Sequence, residues 1–163
     1  MISSMPMECI SINKEGAMLY QDKKGYEDYW RKHHVSPIAR DIWMYTPGKE
    51  PQYRQLTTFG GEDHEPVWAP DGKTFYYLSE ENGSFNIYRR TPGDAKALQL
   101  THYTKNPVRY LSAATDGRLC YGFDGEIYTL LPGGEAQKVN ISIVSDRNDK
   151  DIIRQIKSSG ATE

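Results

Sequence analysis

Apolar residues along this chain come in short runs, roughly four to eight residues each, broken at regular intervals by turn-forming residues. The clearest stretch is 65–103, where "EPVWAP" (65–70), "KTFYYLSE" (73–80), "FNIYRR" (85–90) and "ALQLTHY" (97–103) each read as a strand. Aromatic and β-branched side chains crowd these runs, which suits a pleated, half-buried surface. The breaks are Asp71-Gly72, "ENGS" (81–84) and "TPGD" (91–94). Asp-Gly and Asn-Gly tolerate positive φ, and so close hairpins between such runs.

The same order of features occurs three times. "DIWMY" (41–45), "NIYRR" (86–90) and "EIYTL" (126–130) each place a polar residue before Ile and an aromatic, with Ile42, Ile87 and Ile127 spaced by 45 and 40 residues. Each is followed by a related segment: "QLTTF" (55–59), "QLTHY" (99–103) and "QKVNI" (137–141). Each is preceded by a Gly-ended turn: "NKEG" (13–16), "APDG" (69–72) and "ATDG" (114–117). A period of 40–45 residues built from short strands is the signature of β-propeller blades.

The expected fold is therefore all-β, an incomplete propeller of three four-stranded antiparallel blades. One blade covers 8–59, the next 60–103 and the third 104–143, with 144–163 a connector into a further blade. "DKDIIRQIKSS" (149–159) reads there as one short helix or a loop. From Leu78 to Ile87 is 9 residues, whereas from Asp22 to Ile42 is 20, so the first repeat carries an insertion of 11 residues within about 23–38. Propellers close with roughly four to eight blades. Three blades leave apolar faces and strand edges without neighbours. The chain thus reads as a segment of a longer propeller, with two copies completing one ring as the alternative.

Composition acts mainly by exclusion. The 163 residues carry a net charge of −2, which offers no electrostatic case for nucleic acid or an anionic membrane. No apolar run approaches the roughly 18 residues of a membrane span, and "MISSMPMECI" lacks the pattern of a secretory leader. The compartment stays open, with the cytoplasm favoured over the periplasm. Cys9 and Cys120 fall inside expected strands and read as small buried residues.

"VWAPDGK" (67–73) resembles the strand–turn element of Trp-Asp-like propellers, as in Tol–Pal translocation propellers, prolyl-oligopeptidase-type enzymes and tricorn protease. Over a longer span, "KKGYEDYWRKHHVSPIARDIWMY" (23–45), "QLTTFGGEDHEPVWAPDGKTFYYLSEENGSFNIY" (55–88), "LCYGFDGEIYT" (119–129) and "SSGATE" (158–163) resemble the first, six-bladed propeller of tricorn-type serine peptidases. The resemblance covers about residue 8 to 163. It implies a parent enzyme in which that propeller precedes a seven-bladed propeller, a PDZ domain and a serine-peptidase core. The implied role is to gate peptides or dock partners, and the implied partner is the remainder of the parent peptidase. The catalytic Ser and His of the family sit in the later domains, so none carries over here.

Candidate chemistry within the chain is sparse. No Gly-x-Ser-x-Gly elbow is present, and Ser84 and Ser159 read as turn residues. His33 and His34 are adjacent, so their side chains diverge rather than converge on a metal. His64, with Glu62, Asp63 and Glu65, lies in the acidic "GGEDHEP" (60–66), which reads as a solvated turn joining two repeats near the axial face. No catalytic residue, metal ligand or cofactor site is expected. The binding candidates are Tyr26, Trp30, Arg31, His33 and His34 of the insertion, and Arg109, expected to point to an axial channel. The insertion reads either as aromatics packed on the blade rim or as a loop that contacts a peptide or protein partner. The second functional reading is a Tol–Pal-type binding propeller with no peptidase.

Overall fold

The computed structural model describes residues 6–26 and 35–144. Among the described residues, twelve strands form three four-stranded sheets, each an antiparallel meander in chain order. Blade 1 holds β1 (Met7–Ile12), β2 (Met18–Asp22), β3 (Ile42–Thr46) and β4 (Gln52–Gln55). Blade 2 holds β5 (Asp63–Trp68), β6 (Phe75–Ser79), β7 (Asn86–Arg90) and β8 (Leu98–Gln99). Blade 3 holds β9 (Arg109–Ala113), β10 (Leu119–Phe123), β11 (Glu126–Leu130) and β12 (Gln137–Lys138). No helix among the described residues is long and apolar enough to cross a membrane.

The three Gly-ended turns are one turn repeated. Gly16, Gly72 and Gly117 have φ of 80°, 65° and 86°, a region that glycine enters without a Cβ clash. Their N–H groups donate to the carbonyls of Asn13, Ala69 and Ala114 at 3.0, 2.9 and 3.0 Å. In blade 2 the Asp71 carboxylate reinforces the turn by accepting from the Lys73 and Thr74 N–H groups and the Thr74 hydroxyl, each at 2.8 Å. Asp124-Gly125 closes β10–β11 with φ of 51° and 78°. Positive φ at both central residues is the geometry that matches strand twist in a two-residue hairpin.

The fourth strands are shorter than the pattern suggests: β8 and β12 have two residues each, and β4 ends where "QLTTF" begins. Side chains take over from the ladder there. The Ile42 N–H donates to Thr57 Oγ1 at 2.8 Å, and the Ile87 N–H to Thr101 Oγ1 at 2.9 Å. The Thr101 hydroxyl in turn donates to Asn86 Oδ1 at 2.9 Å, so the polar residue before each isoleucine ties the third strand to the fourth. In blade 3 the Val139 N–H meets Ile127 O as Leu56 and Leu100 meet Ile42 and Ile87. Lys138, not Gln137, therefore stands where Gln55 and Gln99 stand, and the third marker is displaced by one residue. The register also pairs Gln21, not Asp22, with Ile42. Measured from Gln21, the extra length in blade 1 is 12 residues rather than 11.

The core lies between blades. Leu19, Ile42 and Leu56 of blade 1 meet Trp68, Phe75, Tyr77 and Tyr88 of blade 2. Leu78 and Ile87 of blade 2 meet Val108, Leu111, Leu119, Tyr121 and Leu130 of blade 3. Burying each such side chain contributes about 1.5–3 kcal/mol. Trp68 also anchors blade 2 to blade 1 by polar contacts: its backbone N–H donates to Ser11 Oγ at 3.1 Å and its indole N–H to Ala17 O at 3.2 Å.

Candidate interaction surface

The first strand of each blade lies toward its neighbours: β5 packs on β1 and β2, and β9 on β5 and β6. Each of these strands carries the same irregularity. Cys9, Glu65 and Tyr110 have φ of 50°, 54° and 58°, and the register shifts there. Two residues (9–10, 65–66 and 110–111) oppose a single tyrosine of the second strand, Tyr20, Tyr77 or Tyr121, which defines a β-bulge. A non-glycine residue in this region costs about 1–3 kcal/mol. Contacts between blades offset it. The Glu65 N–H donates to Gln21 Oε1 of blade 1 at 2.9 Å, and the Glu65 carboxylate accepts the Leu111 N–H of blade 3 at 2.7 Å. The bulges thus form a polar chain running across all three blades.

The "GGEDHEP" segment is part of this chain and not a solvated turn. Glu62, Asp63 and His64 are buried, and β5 begins at Asp63. Arg40, from the segment leading into β3, reaches Glu62 at 3.2 Å and Glu8 at 3.6 Å. His64 lies with its ring centroid 4.4 Å from that of Phe85. Burial, helped by the Arg40 and Arg109 charges, lowers its pKa to about 3, so it is neutral. Burial raises the Asp63 pKa to about 7, with Asp41 and Glu81 adding to the rise and the Ser79 and Thr57 hydroxyls opposing it. These residues were legible only as a polar run. Their burial arises because blades 1 and 3 close over β5. Among the described residues, no group of three or more His, Cys, Asp or Glu side chains could hold a metal ion.

Of the binding candidates, Trp30, Arg31, His33 and His34 lie outside the described residues. Tyr26 is 90% exposed and so does not pack on the blade rim. The base of the insertion is held: the Lys24 ammonium donates to Ala39 O at 2.8 Å and pairs with Asp41, and the Ser36 N–H donates to Gly60 O at 3.1 Å. Arg109 opens β9 and is half-buried. The cysteines differ from expectation. Cys9 is exposed because it stands at a bulge, and Cys120 is half-buried on the side of β10 away from Leu119 and Tyr121.

Arg109 also borders a cavity of about 440 Å³ on the far face of blade 3, with Tyr110, Gly122, Phe123 and Ile127 among its lining residues. Ile127 pairs with Gly122 as Ile87 pairs with Leu78. Yet Ile42 and Ile87 are 0% exposed, and Ile127 is 41% exposed. The position that faces a following blade in blades 1 and 2 faces open space in blade 3.

Comparison with known proteins bears on the fold. No family model matches the chain, and no curated protein matches it. Solved structures do. The chain superposes on tricorn protease with a TM-score of 0.70 and 18% identity, over 88% of this chain and 14% of that one. It superposes on TolB from Acinetobacter baumannii with a TM-score of 0.61 and 18% identity, over 80% of this chain and 31% of that one. On puromycin hydrolase the TM-score is 0.59 with 17% identity, over 80% and 21%. The chain has the fold of their propeller regions: it is an incomplete β-propeller of three blades. It spans well under half the length of these three structures, which include two hydrolytic enzymes and TolB.

Proposed function

We propose that this chain is a non-catalytic propeller segment of a tricorn-like serine peptidase, which gates peptide passage or docks partners for a proteolytic core elsewhere in the parent polypeptide. The observation that carries the reading is the far face of blade 3. Ile127 and Gly122 repeat the positions at which Ile87 and Leu78 receive the next blade, and Ile127 stands open. A surface so built receives further blades of the same kind. Of the polar groups that sequence alone offered for chemistry, Glu62, Asp63 and Glu65 are tied into contacts between blades, and His64 packs on Phe85 within blade 2. The fold likeness to tricorn protease over 88% of the chain supports the parent assignment.

The fold likeness to TolB supports a second reading, a protein-docking propeller without a peptidase. The two part on the encoding gene and its full product. The first predicts a serine-peptidase core downstream, and peptide hydrolysis by the full polypeptide that this chain alone lacks. A gene without such a core leaves only the docking reading.

A further inference from the structure

A polar cavity of about 670 Å³ opens between blades 1 and 2, away from the face described above. Its blade 1 wall is the segment 55–59 that leaves β4, and its blade 2 side includes Asp63, Tyr77, Glu81, Arg90 and Lys96. Its volume is in the range of small-ligand sites. Charge is distributed unevenly within it. Asp63 pairs with Ser79 at one end of β6, and Glu81 follows two residues on. Arg90 pairs with Phe75 at the other end, near Lys96. Four residues of strand separate the two ends, about 13 Å at the backbone. The Arg90 side chain shortens that span: its guanidinium donates to Leu56 O in the opposite wall and to Asp94 O at 2.9 Å. Tyr77 lies between, within the fields of both Asp63 and Arg90.

One carboxyl oxygen in this cavity lacks a hydrogen bond, although the Ser79 and Thr57 hydroxyls bond to the same carboxyl. Asp63 is 1% exposed, and its Oδ1 atom has no hydrogen-bond partner among the described residues. A buried carboxylate oxygen left in that state is costly, and a ligand cation that donates to it removes the cost. An acidic end and a basic end in one cavity match a zwitterion with separated charges.

We propose that this cavity binds a short peptide of two or three residues by its termini, with the α-ammonium at Asp63 and Glu81 and the α-carboxylate at Arg90 and Lys96. An extended peptide advances about 3.3–3.6 Å per residue, which suits that length once the Arg90 reach is counted. The site needs only blades 1 and 2, so its failure and the failure of the parent-enzyme reading are separable. The ammonium favours ionised Asp63, so binding near pH 6.5 releases a proton. It tightens as pH rises through the Asp63 titration, with Asp41, Glu81, Tyr77, Ser79 and Thr57 as the groups around that carboxyl.

The test is calorimetric titration of the 163-residue chain with trialanine, N-acetyl-trialanine, trialanine amide and free alanine, at pH 6.5 in two buffers of different ionisation enthalpy. The expected result is saturable trialanine binding with proton release, weakened roughly tenfold or more by blocking either terminus. Asp63→Asn should abolish the proton release and the preference for a free ammonium. Lys96→Gln, at an exposed position that folding does not require, should weaken the peptide with a free carboxylate and leave the amide unchanged. No saturable trialanine binding overturns the proposal. So does equal binding of the blocked peptides, which would reduce Asp63 to a hydrated buried acid.

Discussion

Asp63 and His64 are neighbours whose burial shifts their pKa values in opposite senses, and this makes a sharp prediction about stability and pH. Burial raises Asp63 from 3.8 to about 7 and lowers His64 from 6.5 to about 3. The raised acid contributes stability that is full below its unfolded value and is lost as pH rises toward about 7. The lowered histidine contributes stability that is present above 6.5 and is lost as pH falls toward about 3. Between about pH 4 and 6.5 the folded pair holds one proton on Asp63 and the unfolded pair holds one on His64. The two contributions cancel in that window, and each variant exposes the other's slope. Relative to wild type, Asp63→Asn should gain about 1.4 kcal/mol per pH unit from pH 4 to 6.5, about 3 kcal/mol in all. His64→Gln should lose about as much over the same window. The double variant should run parallel to wild type, because neither proton is then in play. Urea unfolding followed by tryptophan fluorescence, at half-unit steps from pH 4 to 8, measures all four proteins. Single variants that run parallel to wild type would refute the reasoning, because both shifts rest on the same burial.

Other predictions follow from equivalent positions. Ile87→Ala should cost about 2–5 kcal/mol in urea unfolding, as expected for a buried aliphatic residue, whereas Ile127→Ala should cost under about 1 kcal/mol. Equal losses would show that the far face of blade 3 is covered. Glu65→Ala leaves the Leu111 N–H without its acceptor and should destabilise by about 1–3 kcal/mol, with hydrogen exchange at Leu111 accelerated. Glu65→Gln should recover most of that loss, since the amide oxygen still accepts. Gly125→Ala meets no atom within 4 Å of the added Cβ, so its cost comes from φ alone, about 1 kcal/mol by thermal unfolding.

Much of the fold could be read from the chain because its signals are local. The Gly-ended turns at 13–16, 69–72 and 114–117 need positive φ at their last residue, and few residues other than glycine supply it. Asp124-Gly125 announces its hairpin for the same reason. Strand order within a blade follows from such turns, since connections this short join antiparallel neighbours, whereas parallel strands need a crossover of about a dozen residues or more. The isoleucine-plus-aromatic repeat marks the third strand, which is interior to its sheet in all three blades.

What stayed hidden depends on atoms far away in sequence. Cys9, Glu65 and Tyr110 share a backbone conformation and no side-chain chemistry, so no motif reveals the bulges. At Glu65 and at 110–111 the bulge holds because Gln21 and Glu65, each 44 or more residues from the group it binds, supply the acceptors. "GGEDHEP" reads as a surface turn because four of its seven residues are charged or titratable. Desolvation is set by neighbours, and blades 1 and 3 remove the water. The same rule divides three otherwise matching isoleucines: Ile42 and Ile87 are covered by a following blade, and Ile127 is not. Turns, strands and their threefold recurrence are written along the chain, because they depend on local backbone preference and side-chain alternation. Which polar groups are buried, which are shared between blades and which face stands open emerge when the blades pack, because burial is a property of packed surfaces.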